Sequence, residues 1–178
     1  MSPSAAHALQ GSQLEALPGI LVTLLSEALY GSAGKGYFLN PSDRGLLASL
    51  DDLSPKTASA RPGGRSSVAS HVEHLRYSLE LLNHTAPGRN PWAQADWADA
   101  WTHQNVNDEQ WQALRSALAT EAKAWLHAMS HSPSWDESAI ATAVASIPHL
   151  AYHLGAIRQL AQATAGPKAI HSTLTRTW

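Results

Sequence analysis

Apolar residues recur along this chain at intervals of three and four, in long runs separated by stretches rich in proline, glycine and serine. That period marks amphipathic helices. The first run, about Leu14 to Tyr30, sets Leu17, Leu21, Leu24, Leu25 and Ala28 on one stripe. Gly31, Gly34 and Gly36 break it, and Pro41 and Asp43 suit the start of a short helix around Ser42 to Leu50. Ser54 to Ser66, with Pro55, Pro62 and the Gly63-Gly64 pair, reads as loop. A second long helix, capped by Ser66 or Ser67, spans Ser67 to about His84. Its apolar residues are Val68, Val72, Leu75, Leu79 and Leu82; Glu73, Arg76 and Glu80 form its charged face.

Thr85 to Asn105 contains Pro87, Gly88, Pro91 and the tryptophans Trp92, Trp97 and Trp101. A connection of that length predicts a crossover rather than a tight turn. Asn107 caps a third helix, with Asp108 and Glu109 in its first turn and Trp111, Leu114, Leu118 and Trp125 along it to near Met129. After a turn at Ser132 to Asp136, a fourth helix extends from about Glu137 to Ala163 and stops at Gly166-Pro167. No run alternates as a strand would, and no repeat is visible. The reading is all-α: a four-helix bundle with a long crossover between the second and third helices, one domain over 1–178 with its core at about 14–163.

Composition narrows the chemistry. With 12 basic and 14 acidic residues, a net charge of −2 and no basic stripe, a nucleic-acid surface is not expected. Cysteine is absent, so disulfides and thiolate chemistry of the chain's own are excluded, and a metal would need nitrogen or oxygen ligands. The run Leu17 to Leu25 is apolar, but no Lys or Arg precedes it and Glu15 adjoins it. It reads as a bundle helix rather than a signal peptide or a membrane span, which makes the cytoplasm the default location. Against this background stand ten histidines and seven tryptophans beside one phenylalanine.

In the fourth helix, His149 and His153 are four residues apart, offset by about 40° and one turn, so both rings can reach one ion. Thr142, Ala145, Ser146, Ala156 and Leu160 share that face, and most are small. Ile140, Val144, Ile147 and Leu154 lie opposite, which predicts burial around much of the circumference. On the second helix, His71 and His74 lie on the inward side. Histidine is costly in a core unless its nitrogens find partners. Four inward histidines on two helices can satisfy one another through a metal, or bond to Ser, Tyr or backbone; both readings stand. His127 and His131 have the same spacing as the last pair but straddle a helix end at Pro133, and read as solvated.

Ser67-Val68 followed by His74-Leu75, then His149-Leu150-Ala151-Tyr152-His153-Leu154-Gly155-Ala156-Ile157-Arg158-Gln159, resemble the DinB/YfiT-like superfamily of bacterial four-helix bundles. The tryptophan-rich stretch from Asp96-Trp97 through Trp101 to Trp111 is also similar, and the resemblance covers roughly Leu14 to Ala163. It implies one divalent metal ion (zinc, nickel or iron) held by His74, His149 and His153. His71 is then a fourth ligand, a substitute for His74 or a partner behind the ligands. Pro148 predicts a kink just before the site. The resemblance further implies a metal-dependent transferase acting on a small-molecule substrate with a low-molecular-weight thiol. A non-catalytic, stress-related metal- or ligand-binding bundle is the alternative. Homodimers are common in that superfamily. Tyr77 and Tyr152 are candidates near the site, each more simply a packing aromatic; Trp97 and Trp101 either wall the site or, more simply, pack in the core.

Overall fold

The computed structural model describes residues 11–32, 34–85, 91–132 and 134–165, and among these the chain is helical without a strand. The expected features at Pro87, Gly88, Pro133 and Gly166-Pro167 lie outside the described residues. The first helix, α1, is Gly11–Tyr30 and buries Leu21, Leu25, Ala28 and Leu29. It ends at Gly31, whose φ of +91° is left-handed; a Cβ there would lie 2.4 Å from the Asp43 carbonyl oxygen, so only glycine fits.

The short helix α2, Leu46–Asp51, starts later than Pro41 and Asp43 suggested. Ser42 has φ +74°, which no helix accommodates, and Gly45 is the residue that precedes the first turn. The segment read as loop holds a further helix, α3, at Pro55–Ser59, and a single 3₁₀ turn at Pro62–Gly64. Its start signal was present: Ser54 Oγ accepts the Thr57 N–H, and Pro55 occupies the first helical position.

Helix α4, Val68–Asn83, begins at Ser67, not Ser66. Ser67 and Ser70 cap each other reciprocally, satisfying two otherwise orphaned N–H groups. Between α4 and the next long helix, the described residues contain a 3₁₀ turn at Pro91–Gln94 and helix α5, Trp97–Ala100, capped by the Asp96 carboxylate. Asn107 and Gln110 form a second reciprocal cap at the start of α6, Asp108–Ser130. The last helix, α7, is Glu137–Ala165.

The four long helices pack laterally: α4 against α6 and α7, and α1 against α6 and α7. Leu25, Leu29, Val68, Val72, Leu75, Leu118, Leu150, Leu154 and Ile157 are sealed between them, each side chain contributing roughly 1.5–3 kcal/mol by burial. Two indole N–H groups are satisfied at the margins: Trp111 donates to the Leu53 carbonyl at 2.8 Å, and Trp125 to Ser146 Oγ at 3.1 Å.

Helix α7 is not buried around its circumference. Ala143, Ser146, Ile147, Leu150, His153, Leu154 and Ile157 form one inward stripe, while Val144, Ala145, Pro148 and Tyr152 face outward. The helix runs on through Pro148, which sits on that outer face. The carbonyl that Pro148 leaves unpaired is that of Val144, itself exposed, so water can serve it. Glu137–Ala163 is long and apolar enough to cross a membrane by length and composition; its apolar content is accounted for partly by the stripe that packs on α1 and α4.

Candidate metal centre

Helix α4 contributes His71 and His74, and α7 contributes His149 and His153. The three-residue and four-residue spacings put each pair on one side of its helix, and the α4–α7 contact brings the pairs together. Nε2 of His149 lies 3.2 Å from Nε2 of His74 and 3.1 Å from Nε2 of His153. His74, His149 and His153 each offer a ligand atom within 4.8 Å of the other two. Three nitrogens held at about 2.0–2.1 Å from a tetrahedral ion stand about 3.3–3.4 Å from one another, so the observed separations fit a single small cation.

His71 stands behind this group. Its Nδ1 lies 2.8 Å from Nδ1 of His153, and its Nε2 lies 3.0 Å from Ser66 Oγ. His71 thus meets the atom of His153 that faces away from the other two imidazoles.

Aromatic rings close one side. Trp101 stacks on His74, with centroids 4.6 Å apart and planes 26° from parallel, and stands edge-on to His71 at 5.1 Å. Trp97 lies 5.5 Å from His74, and Trp92 stacks on Trp97 at 5.7 Å. Trp92 and Trp97 remain 37% and 36% exposed, too much for core residues, and Trp101 is half-buried against His71 and His74, so Trp97 and Trp101 wall the site. Three polar contacts fasten this wall: Asp96 caps α5, the Asp96 N–H donates to the Tyr77 hydroxyl, and the Ser67 N–H donates to Gln104 Oε1. Tyr77 therefore clamps the start of α5 onto α4. Tyr152 is 69% exposed, edge-on to His153 at 5.0 Å, and is not a packing aromatic.

Burial favours the neutral form of all four rings. It pushes His74 down to about 4, helped by the nearby His149 and His71, and His153 down to about 3, helped by His149, His71 and His74. His71 and His149 are lowered by burial as well. Neutral imidazole is the ligating form. His74 Nδ1 is buried without a hydrogen-bond partner among the described residues, at a cost of roughly 1–3 kcal/mol.

A polar cleft between α4 and α5 is lined by Glu73, Arg76, Tyr77, Glu80, Asp96, Asp99 and Ala100. Arg76 is its one cation and is already bound to Glu73 at 2.8 Å and Glu80 at 2.7 Å, which holds it charged. His127 and His131 stack on each other, exposed, at the end of α6, apart from the cluster. Neither Ser66 nor Gln104 stood out in the sequence as part of the site. The turn spacing of Trp97 and Trp101 was the legible signal for the wall. No protein-family model, curated protein or solved structure matches the chain.

Proposed function

We propose that the protein binds one divalent metal ion, zinc, nickel or iron, through His74, His149 and His153, within a four-helix bundle of the DinB/YfiT-like kind. One observation carries this reading: His149 Nε2 sits within 3.2 Å of two other Nε2 atoms at once. A neutral imidazole nitrogen has a single proton or a single in-plane lone pair, so it can serve one well-aligned hydrogen bond, not two. Three lone pairs converging on one point are what a cation organises. The orphaned His74 Nδ1 agrees, because a ring that forfeits a hydrogen bond on one nitrogen needs a stronger partner on the other.

The activity proposed with this site is transfer of a low-molecular-weight thiol to an electrophilic small molecule. A bound ion with open positions would lower the pKa of a thiol or water. The chain's own contribution is to hold three neutral imidazoles and to screen His74 from water with Trp101. The alternative, a non-catalytic metal- or ligand-binding bundle, has an observation in its favour. In the cleft between α4 and α5, carboxylates predominate and Arg76 is committed, so that cleft offers no free cation to an anionic thiol.

Elemental analysis of protein purified without added metal and without a nickel column tests the metal reading. About one ion per chain is the expected result; protein that takes up none of zinc, nickel, cobalt, manganese or iron would end it. Thiol consumption by the loaded protein over a panel of electrophiles then separates transferase from passive binder.

A further inference from the structure

Three of the rings and Ser66 form a continuous line of polar atoms: Ser66 Oγ, His71 Nε2, His71 Nδ1, His153 Nδ1, His153 Nε2 and His149 Nε2. Each imidazole in it carries one proton, so fixing the proton on one ring fixes it on the next. The line reads consistently in two directions. In one, the Ser66 hydroxyl donates to His71 Nε2, His71 Nδ1–H donates to His153, and His153 Nε2 carries a proton. A protonated Nε2 cannot ligate. In the other, His153 Nδ1–H donates to His71 Nδ1, His71 Nε2–H donates to Ser66 Oγ, and His153 Nε2 presents its lone pair to His74 and His149.

We infer that His71 is not a fourth ligand but a positioning residue, which accepts the His153 Nδ1–H and, with its own Nε2–H anchored on Ser66, holds His153 in the ligating tautomer. The inference rests on the metal reading above. Geometry supports it over a four-histidine site: Nδ1 of His71 is spent at 2.8 Å on the far side of the His153 ring, and Nε2 is spent on Ser66. A ligand needs one nitrogen free to face the ion. Trp101 adds to the restraint, with its ring edge-on to His71 and flat on His74. His71 is 6% exposed and His153 2% exposed, so water is a poor substitute for the lost contact. Partners of this kind fix ring orientation and raise the basicity of the ligating nitrogen.

The test compares zinc affinity, by competition with a chromogenic chelator at neutral pH, for the wild type, His71→Ala, His71→Asn and Ser66→Ala. Loss of the acceptor in His71→Ala should weaken binding about 10–100-fold at unchanged stoichiometry. Asparagine places Oδ1 where histidine carries Nδ1, so His71→Asn should recover most of the loss. Ser66→Ala should shift affinity in the same direction by less. Nitrogen-15 correlation spectra of the zinc-loaded wild type should find His153 protonated at Nδ1 and His71 protonated at Nε2 with neither nitrogen on the metal. If His71→Ala does not fold, the Asn and Ser66 variants and the spectra still decide. A wild type that takes up no zinc overturns the metal reading and this inference with it. Uptake by the wild type with unchanged affinity in His71→Ala, or a zinc-bound His71 nitrogen, overturns this inference alone.

Discussion

Trp101 lies flat against His74, the two ring centroids 4.6 Å apart, although Trp101 caps the end of α5 and His74 lies within α4. The contact makes the connection between α4 and α6 part of the site. Replacing Trp101 by Ala should remove the stacking face and admit water to His74. The expected cost is about 1–3 kcal/mol of stability, the ordinary range for losing a half-buried contact, with a weaker grip on metal. Trp101→Phe should retain much of both. Denaturant unfolding in chelator and metal competition measure the two effects separately; a Trp101→Ala protein unchanged in metal affinity would reduce the wall to packing.

The three proposed ligands should behave as a unit. Single replacements His74→Ala, His149→Ala and His153→Ala should each cost far more metal affinity than His71→Ala, because each removes a donor rather than a restraint on one. Pairwise combinations should then cost much less than the sum of the singles, since residues that share one partner are coupled. Isothermal titration with zinc reads this directly. A His74→Ala protein that binds as the wild type does would show that the nitrogen 3.2 Å from His149 is not a ligand.

Much of this arrangement was legible in the residues. The caps at Ser67 and Asn107, the helix starting at Glu137, and the i,i+4 pair His149 and His153 follow from local rules that tertiary packing did not override. The illegible parts are those that depend on long-range partners. α3 reads as loop in the sequence because Pro55 and Pro62 flank a single turn, yet Ser54 caps it and Ala58 is fully buried in the core. α2 starts only at Leu46, beyond the pairing of Gly31 with Arg44 across a loop that no periodicity reveals. His71 and His74 could not be told apart by spacing alone. What separates them is which face of His153 each meets, a property of how α4 and α7 cross.

Glu27 gives a prediction independent of the site. Its carboxylate is 4% exposed and accepts the backbone N–H groups of Tyr37, Phe38 and Leu39, at distances down to 2.7 Å. Burial alone would raise its pKa, but these donors outweigh burial and lower it. Glu27→Ala should leave these part-buried donors without their acceptor and cost about 1.5–3 kcal/mol, the range for a hydrogen bond to a charged group. Glu27→Gln should cost less, since the amide oxygen still accepts. Limited proteolysis should cut the segment around Tyr37 faster in the Ala variant. Equal cleavage of variant and wild type would mean the carboxylate does not hold that loop.

The last prediction concerns pH, and its sign follows from the four buried imidazoles. Their folded-state pKa values lie below the ordinary value of about 6.5, with His74 near 4 and His153 near 3. Above about pH 6.5 the rings are neutral in both folded and unfolded chains, and they contribute no proton-linked change. As the pH falls below that value the unfolded chain takes up protons that the folded chain refuses. The unfolded state then binds more protons, so stability falls with pH, and the loss from these rings continues until the folded rings protonate near pH 4 and below. Metal adds a second, separable effect. Protonation hardly competes with metal while the folded rings stay neutral, so affinity should change little through the ordinary histidine range near pH 6.5 and drop only lower, where the folded rings take up protons. Melting temperature against pH should therefore give two descending curves, metal-loaded above chelated, whose gap in stability stays nearly constant over that range, as expected for a ligand of fixed affinity. A gap that closes in step with the ordinary histidine titration near pH 6.5 would mean that the rings are solvated when metal-free. Superimposed curves would mean that the cluster is held by hydrogen bonds and packing alone, and the metal reading would fall.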